Sequence, residues 1–163
     1  MQIEVRLATA ADAPLVAAIL AEVDAWVAQL GTPMWELGEV DQDRIAAEVA
    51  KGLFALAWSG SEAAGTVRFQ LEDPEFWPDR PGDNAAYIHR LAVRRKFAGG
   101  AISTALMTWA VDRARSLRRD ALRLDCDADR TSLRAVYERF GFVYHSDRQV
   151  GPYYVARYEY RLA

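Results

Sequence analysis

The stretch of this chain best suited to chemistry runs over residues 87–106, YIHRLAVRRKFAGGAISTAL. An apolar, β-branched run breaks at Arg94, Arg95 and Lys96, passes through Gly99 and Gly100, and resumes as an alanine- and leucine-rich amphipathic segment. That order reads as strand, loop, helix. A glycine turn at such a junction lets main-chain N–H groups point outward, and the positive end of the helix dipole adds to them, so the junction suits an anion. The three cations carry the same sign. The alternative is an ordinary βα turn with glycine for backbone reasons and charge for solubility. Other chemistries find no support. Two histidines and one cysteine are scattered without zinc-ligand spacing. No Walker lysine follows the glycines, no G-x-S-x-G elbow is present, and the glycines follow the fourth expected strand rather than the first, as a dinucleotide fold would require.

The elements that must position this junction are readable along the chain. Residues 3–7, IEVRL, alternate as a first strand. Thr9 and Asp12 form a variant capping box before a helix that runs through Leu30, with Leu15, Ile19, Val23, Trp26 and Leu30 as its apolar face. A loop carrying Met34 and Trp35 leads to a second helix starting at Asp41 or Asp43 and ending before Gly52, with Ile45 and Val49 inward. Residues 53–59 and 63–71 form a hairpin, and residues 72–84, with three prolines, form a loop whose Phe76 and Trp77 either plug the core or face a ligand. A strand over 85–93 and the glycine loop lead to a helix over about 101–117, with Ile102, Ala105, Leu106 and Trp109 buried. A strand at 121–127, a helix carrying Leu133, Val136, Tyr137 and Phe140, and two final strands complete the chain. The expected class is α/β, an α+β mixed sheet in the order β-α-α-β-β-β-α-β-α-β-β, folded as one domain over residues 1–163.

Composition bounds the function. A net charge of −3 argues against broad nucleic-acid binding. No apolar run reaches the roughly 20 residues that span a bilayer. The first residues, MQIEVRLATAADAP, lack the pattern of a signal peptide, and Cys126 has no second cysteine to pair with, which together lead to the expectation of a cytoplasmic protein. Cys126 itself reads as a small buried hydrophobe rather than an acyl-carrying nucleophile.

The element order, the LAV strand end, the glycine loop opening a helix and the run LRLDCDADRTSLRAVYERFGF together resemble the GNAT N-acetyltransferase superfamily over nearly the whole chain. The resemblance implies an acetyl-CoA cosubstrate and transfer of its acetyl group to an amine. It implies that Leu91, Ala92 and Val93 bind the pantetheine arm by main-chain hydrogen bonds, and that Ala98, Gly99, Gly100, Ala101, Ile102 and Ser103 bind the pyrophosphate. This loop departs from the family's Gln/Arg-x-x-Gly-x-Gly/Ala pattern: Ala98 lacks the polar side chain, and Ala101 and Ser103 stand at the glycine positions, with Ser103 adding a hydroxyl donor. A frame beginning at Arg95 restores the arginine but displaces the helix start. Arg130, where relatives often have asparagine, is a candidate for the adenosine 3′-phosphate.

The resemblance also places Tyr137 where a phenol protonates the departing thiolate, and His89 where some relatives that acetylate arylalkylamines take the amine proton through water. A phenol near pKa 10 and an imidazole near 6.5 suit those tasks. Each has a structural alternative, a core tyrosine and a strand histidine. The acceptor region implied includes Trp35, Trp77, Tyr87 and Glu72, with Trp26, Met34, Phe76, Tyr153, Tyr154 and Asp73 nearby; for Glu72 and Asp73 a solvated loop is the alternative. An aromatic or cationic small-molecule amine fits that inventory. A peptide or protein N-terminus, and an acyl-CoA-binding domain without turnover, are the competing readings. The long aromatic last strand offers an edge for a homodimer.

Overall fold

The computed structural model describes residues 2–31 and 41–162. The elements follow the expected order. They are β1 (Ile3–Leu7), α1 (Ala13–Gln29), α2 (Gln42–Ala50), β2 (Phe54–Ser59), β3 (Glu62–Gln70), β4 (Ala85–Val93), α3 (Ala101–Ser116), β5 (Ala121–Asp127), α4 (Thr131–Phe140), β6 (Val143–Val150) and β7 (Tyr153–Arg161). The strands form a mixed sheet in the order β1-β2-β3-β4-β5-β7-β6. Contacts divide the chain into two compact units, Met1–Arg68 with Arg90–Trp109, and Phe69–His89 with Ala110–Ala163.

In the first unit, β1, β2 and β3 form an antiparallel ladder with Ile3 opposite Ser59 and Phe54 opposite Arg68. A short 3-10 turn over Ala10–Asp12 precedes α1, and the Thr9 N–H donates to the Asp12 carboxylate at 2.9 Å. The apolar face of α1 differs from the expected one. Val16, Leu20, Val23 and Val27 are buried, with Ala13, Ala17 and Ile19 beside them, whereas Leu15 and Leu30 are exposed. The spacing 16-20-23-27 is as good a helical stripe as 15-19-23-26-30. Its members share one buried cluster with Phe54, Leu56 and Ile45. In α2, Asp41 caps the helix by accepting from the Arg44 N–H, and Ile45 and Val49 are inward as expected.

Gly65 on β3 is where this unit packs most tightly. A Cβ built there would lie 2.8 Å from Ile102 Cγ2 and 2.9 Å from the Ala92 carbonyl oxygen. The second contact is with backbone, which cannot rotate away. Gly65→Ala is therefore expected to destabilise the protein by about 1–3 kcal/mol, the usual cost of overpacking. Urea unfolding measures this directly, and an unchanged midpoint would mean that the two strands and α3 separate freely here.

In the second unit, β4 and β5 run parallel, with Ala85, Ala86 and Tyr87 opposite Ala121, Leu122 and Arg123. β7 lies between β5 and β6 and pairs antiparallel with both. The last strand is thus interior, and the expected dimer edge does not exist on it. The aromatic alternation of β7 belongs to a strand packed between neighbours, a pattern that sequence cannot separate from an exposed edge. The buried helix face of α3 also extends further than expected, through Met107, Ala110, Val111 and Ala114, while Trp109 is only half-buried.

Candidate active site

The parallel ladder between β4 and β5 is recorded as far as Tyr87 and Arg123. Two positions on, the register would set His89 against Asp125, and there side chains meet. His89 Nδ1 stands 3.4 Å from Asp125 Oδ1, and His89 Nε2 stands 2.7 Å from Asp73 Oδ2. Arg90, the next residue, has φ of 52°, a left-handed conformation uncommon for a side chain larger than glycine's. Strand alternation, which would put His89 and Leu91 on one face, is therefore interrupted at Arg90.

Asp73 reaches His89 from the loop after β3. Its Oδ1 accepts the Phe76 N–H at 3.1 Å and its carbonyl accepts the Trp77 N–H at 3.0 Å, so the turn itself aims the carboxylate. Asp73 is buried, and the expected alternative of a solvated loop applies only to its neighbour Glu72, which is exposed. Burial raises the Asp125 carboxyl to about 6; the nearby carboxylates of Asp73 and Glu75 act in the same direction, and His89 and Arg157 oppose them. Asp125 was not among the expected site residues. A signal for it existed: the alternation that buries Leu122, Leu124 and Cys126 turns Arg123 and Asp125 to the other face, and two charges on a central strand call for partners.

Tyr137 lies in the same unit, on α4, buried to 6% exposure with its ring edge-on to Phe142 at 6.1 Å. Burial, with the Cys126 thiol and Asp125 carboxylate adding to it, holds its phenol well above the ordinary range. The group is protonated throughout the neutral range and can act only as a donor. The Cys126 thiol is likewise pushed up to about 12 by burial, which leaves no thiolate for nucleophilic work.

Trp77 and Tyr87, expected at the acceptor, are core residues of this unit, 1% and 4% exposed. Trp77 lies between two guanidinium groups, Arg123 at 4.5 Å and Arg157 at 4.4 Å, and the Tyr87 hydroxyl accepts from Arg123 at 3.2 Å. Of the two readings of the loop aromatics, Trp77 plugs the core. Phe76 instead sits half-buried beside the imidazole, 5.4 Å between centroids, with Tyr153 6.5 Å further on. Trp35, with Met34, lies outside the described residues. Arg130 is half-buried at the N-cap of α4.

The first unit carries the glycine loop. Gly99 and Gly100 have φ of 129° and 100°, both in the range that favours glycine, and a Cβ at either would meet nothing within 4 Å. Ala98, Gly99, Gly100 and Ala101 are exposed. The first helical bond joins the Thr104 N–H to the Gly100 carbonyl at 2.9 Å, so the N–H groups of Ala101, Ile102 and Ser103 form the open N-terminal turn of α3. The Ser103 hydroxyl donates to the Gly100 carbonyl at 3.1 Å, which closes the turn rather than adding a donor to it. Leu91 and Val93 are half-buried, whereas Ala92 is in the core. The loop cations have partners of their own. Arg94 pairs with Glu22, Lys96 pairs with Glu62, and the Arg95 guanidinium lies 3.8 Å over Trp26. What this loop leaves open to an anion is therefore backbone N–H groups and the helix end more than net charge.

Among the described residues no helix is long and apolar enough to cross a membrane. The chain matches the Acetyltransferase (GNAT) family over residues 20–142. It is 28% identical over 137 residues to the N-acetyltransferase YesJ of Bacillus subtilis, covering 80% of this chain and 76% of that protein. Its fold is similar to that of a GNAT-family acetyltransferase from Listeria monocytogenes, with a TM-score of 0.83, 24% identity and coverage of 98% of this chain and 95% of the other. It is also similar to YncA from Salmonella typhimurium, solved with acetyl-CoA, at a TM-score of 0.76, 16% identity and coverage of 100% and 95%. With three quarters of its length inside the family match, from α1 to the end of α4, this chain belongs to the GNAT acetyltransferase family.

Proposed function

We propose that residues 1–163 work as one transferase domain that moves the acetyl group of acetyl-CoA to the primary amine of a small molecule, with His89 as base and Tyr137 as acid. The observation that carries this reading is the His89 imidazole held at 2.7 Å by the buried Asp73, in the same compact unit as the buried Tyr137. Acetyl-CoA supplies an activated acetyl group and a sulfur leaving group. The residues that fit it are the main chain of Leu91, Ala92 and Val93 and the loop from Ala98 to Ser103, where the two left-handed glycines and the first turn of α3 present N–H groups to a pyrophosphate. Arg130 is assigned to the 3′-phosphate.

His89 takes a proton from the acceptor ammonium, directly or through water, which exposes the nitrogen lone pair needed for attack. Tyr137 holds a proton at its phenol oxygen for the sulfur that departs. Phe76 beside the imidazole, with Tyr153 beyond it, favours an aromatic amine acceptor. The Glu72 carboxylate is left to the exposed rim, and Trp77 and Tyr87 act as supports for the loop.

A panel of 2-phenylethylamine, spermidine and a short peptide with a free N-terminus, scored by thiol release from acetyl-CoA, tests the acceptor class. The expected result is the highest kcat/KM with 2-phenylethylamine. Preference for the peptide would overturn the small-molecule reading, and tight acetyl-CoA binding without turnover of any amine would favour a binding domain. His89→Ala is expected to remove the inflection by which kcat/KM rises with pH, leaving only the ionisation of the amine itself. A mutant profile equal to the wild type would show that another group is the base.

A further inference from the structure

The second unit carries three ionisable side chains in one cluster, Asp73, His89 and Asp125, with ligating atoms within 4.8 Å of one another. Asp73 and Asp125 approach different ring nitrogens, at 2.7 Å and 3.4 Å, and an imidazole hydrogen-bonded to one carboxylate and close to a second is a group that can hold and pass on a proton.

The two contacts differ in kind. Nε2 to Asp73 at 2.7 Å is a hydrogen bond, and a carboxylate can only accept there, so Nε2 carries the proton and Nδ1 the lone pair. Nδ1 to Asp125 Oδ1 at 3.4 Å is not a hydrogen bond, and Oδ1 is buried without a hydrogen-bond partner among the described residues. A buried acceptor without a donor is costly, and a proton arriving on Nδ1 would supply one.

We propose that Asp73 and Asp125 are positioning residues of the transfer: Asp73 fixes the His89 ring through Nε2, and Asp125, 3.4 Å from Nδ1, stabilises the proton that Nδ1 takes from the acceptor ammonium. This rests on the reading of His89 as base. In the step, one N–H bond of the ammonium breaks and leaves its electron pair on nitrogen, and an Nδ1–H bond forms. The imidazolium then lies between two carboxylates, and its proton leaves to solvent after transfer. The other groups that act on Asp125 are Glu75 from the same loop as Asp73, Arg157 from β7 and Cys126 from its own strand, with Tyr137 from α4 also coupled to it.

The test uses the full chain and imidazole ¹⁵N NMR, in which two histidines give few signals and His89→Ala assigns them. The wild type is expected to show His89 as the Nε2–H tautomer when neutral; an Nδ1–H tautomer would overturn the proposal without any variant. In Asp73→Asn and Asp125→Asn, each replacing a negative charge within reach of the ring, the pH at which His89 loses its proton is expected to fall by about one unit. The inflection of kcat/KM for the best amine of the panel should move with it, and kcat should fall on the order of 10²-fold. If His89 titrates in both variants as in the wild type, the carboxylates do not stabilise its proton and the proposal fails, while the base reading still stands on the His89→Ala profile. If the NMR midpoint moves but His89→Ala keeps the wild-type inflection, the base reading fails and takes the proposal with it.

Discussion

Tyr137→Phe is expected to lower kcat on the order of 10²- to 10³-fold while the dissociation constant for acetyl-CoA changes by no more than about twofold. The variant removes one oxygen and keeps the ring, so the edge-on contact with Phe142 and the packing against Tyr158 survive. With Tyr137 proposed as the acid, what is lost is a proton source. A phenol held above its ordinary range by burial gives up a full proton reluctantly, but it donates a strong hydrogen bond to an oxygen or sulfur that is becoming negative, and in a water-poor site such a donor has its largest effect. The loss corresponds to about 3–4 kcal/mol of transition-state stabilisation. Initial rates of thiol release at saturating amine, beside calorimetric titration of acetyl-CoA, separate the two quantities. Equal losses in rate and binding would make Tyr137 a core residue that shapes the site, and an unchanged rate would assign the acid elsewhere.

The element order and the glycine loop were legible because they are written in local patterns: alternation for strands, three- and four-residue spacing for helices, glycine where φ is positive. Gly99 and Gly100 illustrate this, since a left-handed pair before a helix has few sequence solutions. The apolar face of α1 was less legible. Ile19 and Val23 are inward as expected, but Val16, Leu20 and Val27 join them while Leu15 and Leu30 are exposed, a choice between overlapping stripes that spacing alone does not make. Of the candidate site, His89 and Tyr137 are single residues in recognisable runs, whereas Asp73 and Asp125 meet His89 across 16 and 36 positions of sequence. Those contacts depend on the end of the β4–β5 ladder and on a turn that aims a carboxylate inward, neither of which leaves a local pattern. The loop aromatics divide similarly: nothing adjacent to Phe76 and Trp77 says that one meets an imidazole and the other is enclosed by arginines.

That enclosure gives the second large effect: Trp77→Ala is expected to cost about 3–5 kcal/mol of stability, and Trp77→Phe roughly half as much. The indole is 1% exposed, and its ring faces contact Arg123 and Arg157, both buried on neighbouring strands. Those guanidiniums hold the loop elsewhere. Arg157 donates to both Asp79 carboxylate oxygens, to the Phe76 carbonyl and to Ser146, and Arg123 donates to Asp83, Glu159 and Tyr87. The hydrogen bond from Arg157 keeps the Asp79 carboxyl well below the usual range, so that pair is charged throughout the neutral range. Removing the indole leaves a cavity between two desolvated cations, whose mutual repulsion the ring faces and the aspartates now offset. Phenylalanine restores a face and forfeits no hydrogen bond, because the indole N–H is buried without a partner among the described residues. Urea unfolding followed by far-ultraviolet circular dichroism measures both variants. The same loop carries Asp73, whose carbonyl accepts the Trp77 N–H, so loosening the plug should also blunt the pH inflection of kcat/KM in Trp77→Ala and spare it in Trp77→Phe. A loss below about 1 kcal/mol for the alanine variant would make Trp77 a peripheral cover, and the aim of Asp73 at His89 would then have to come from its own turn alone.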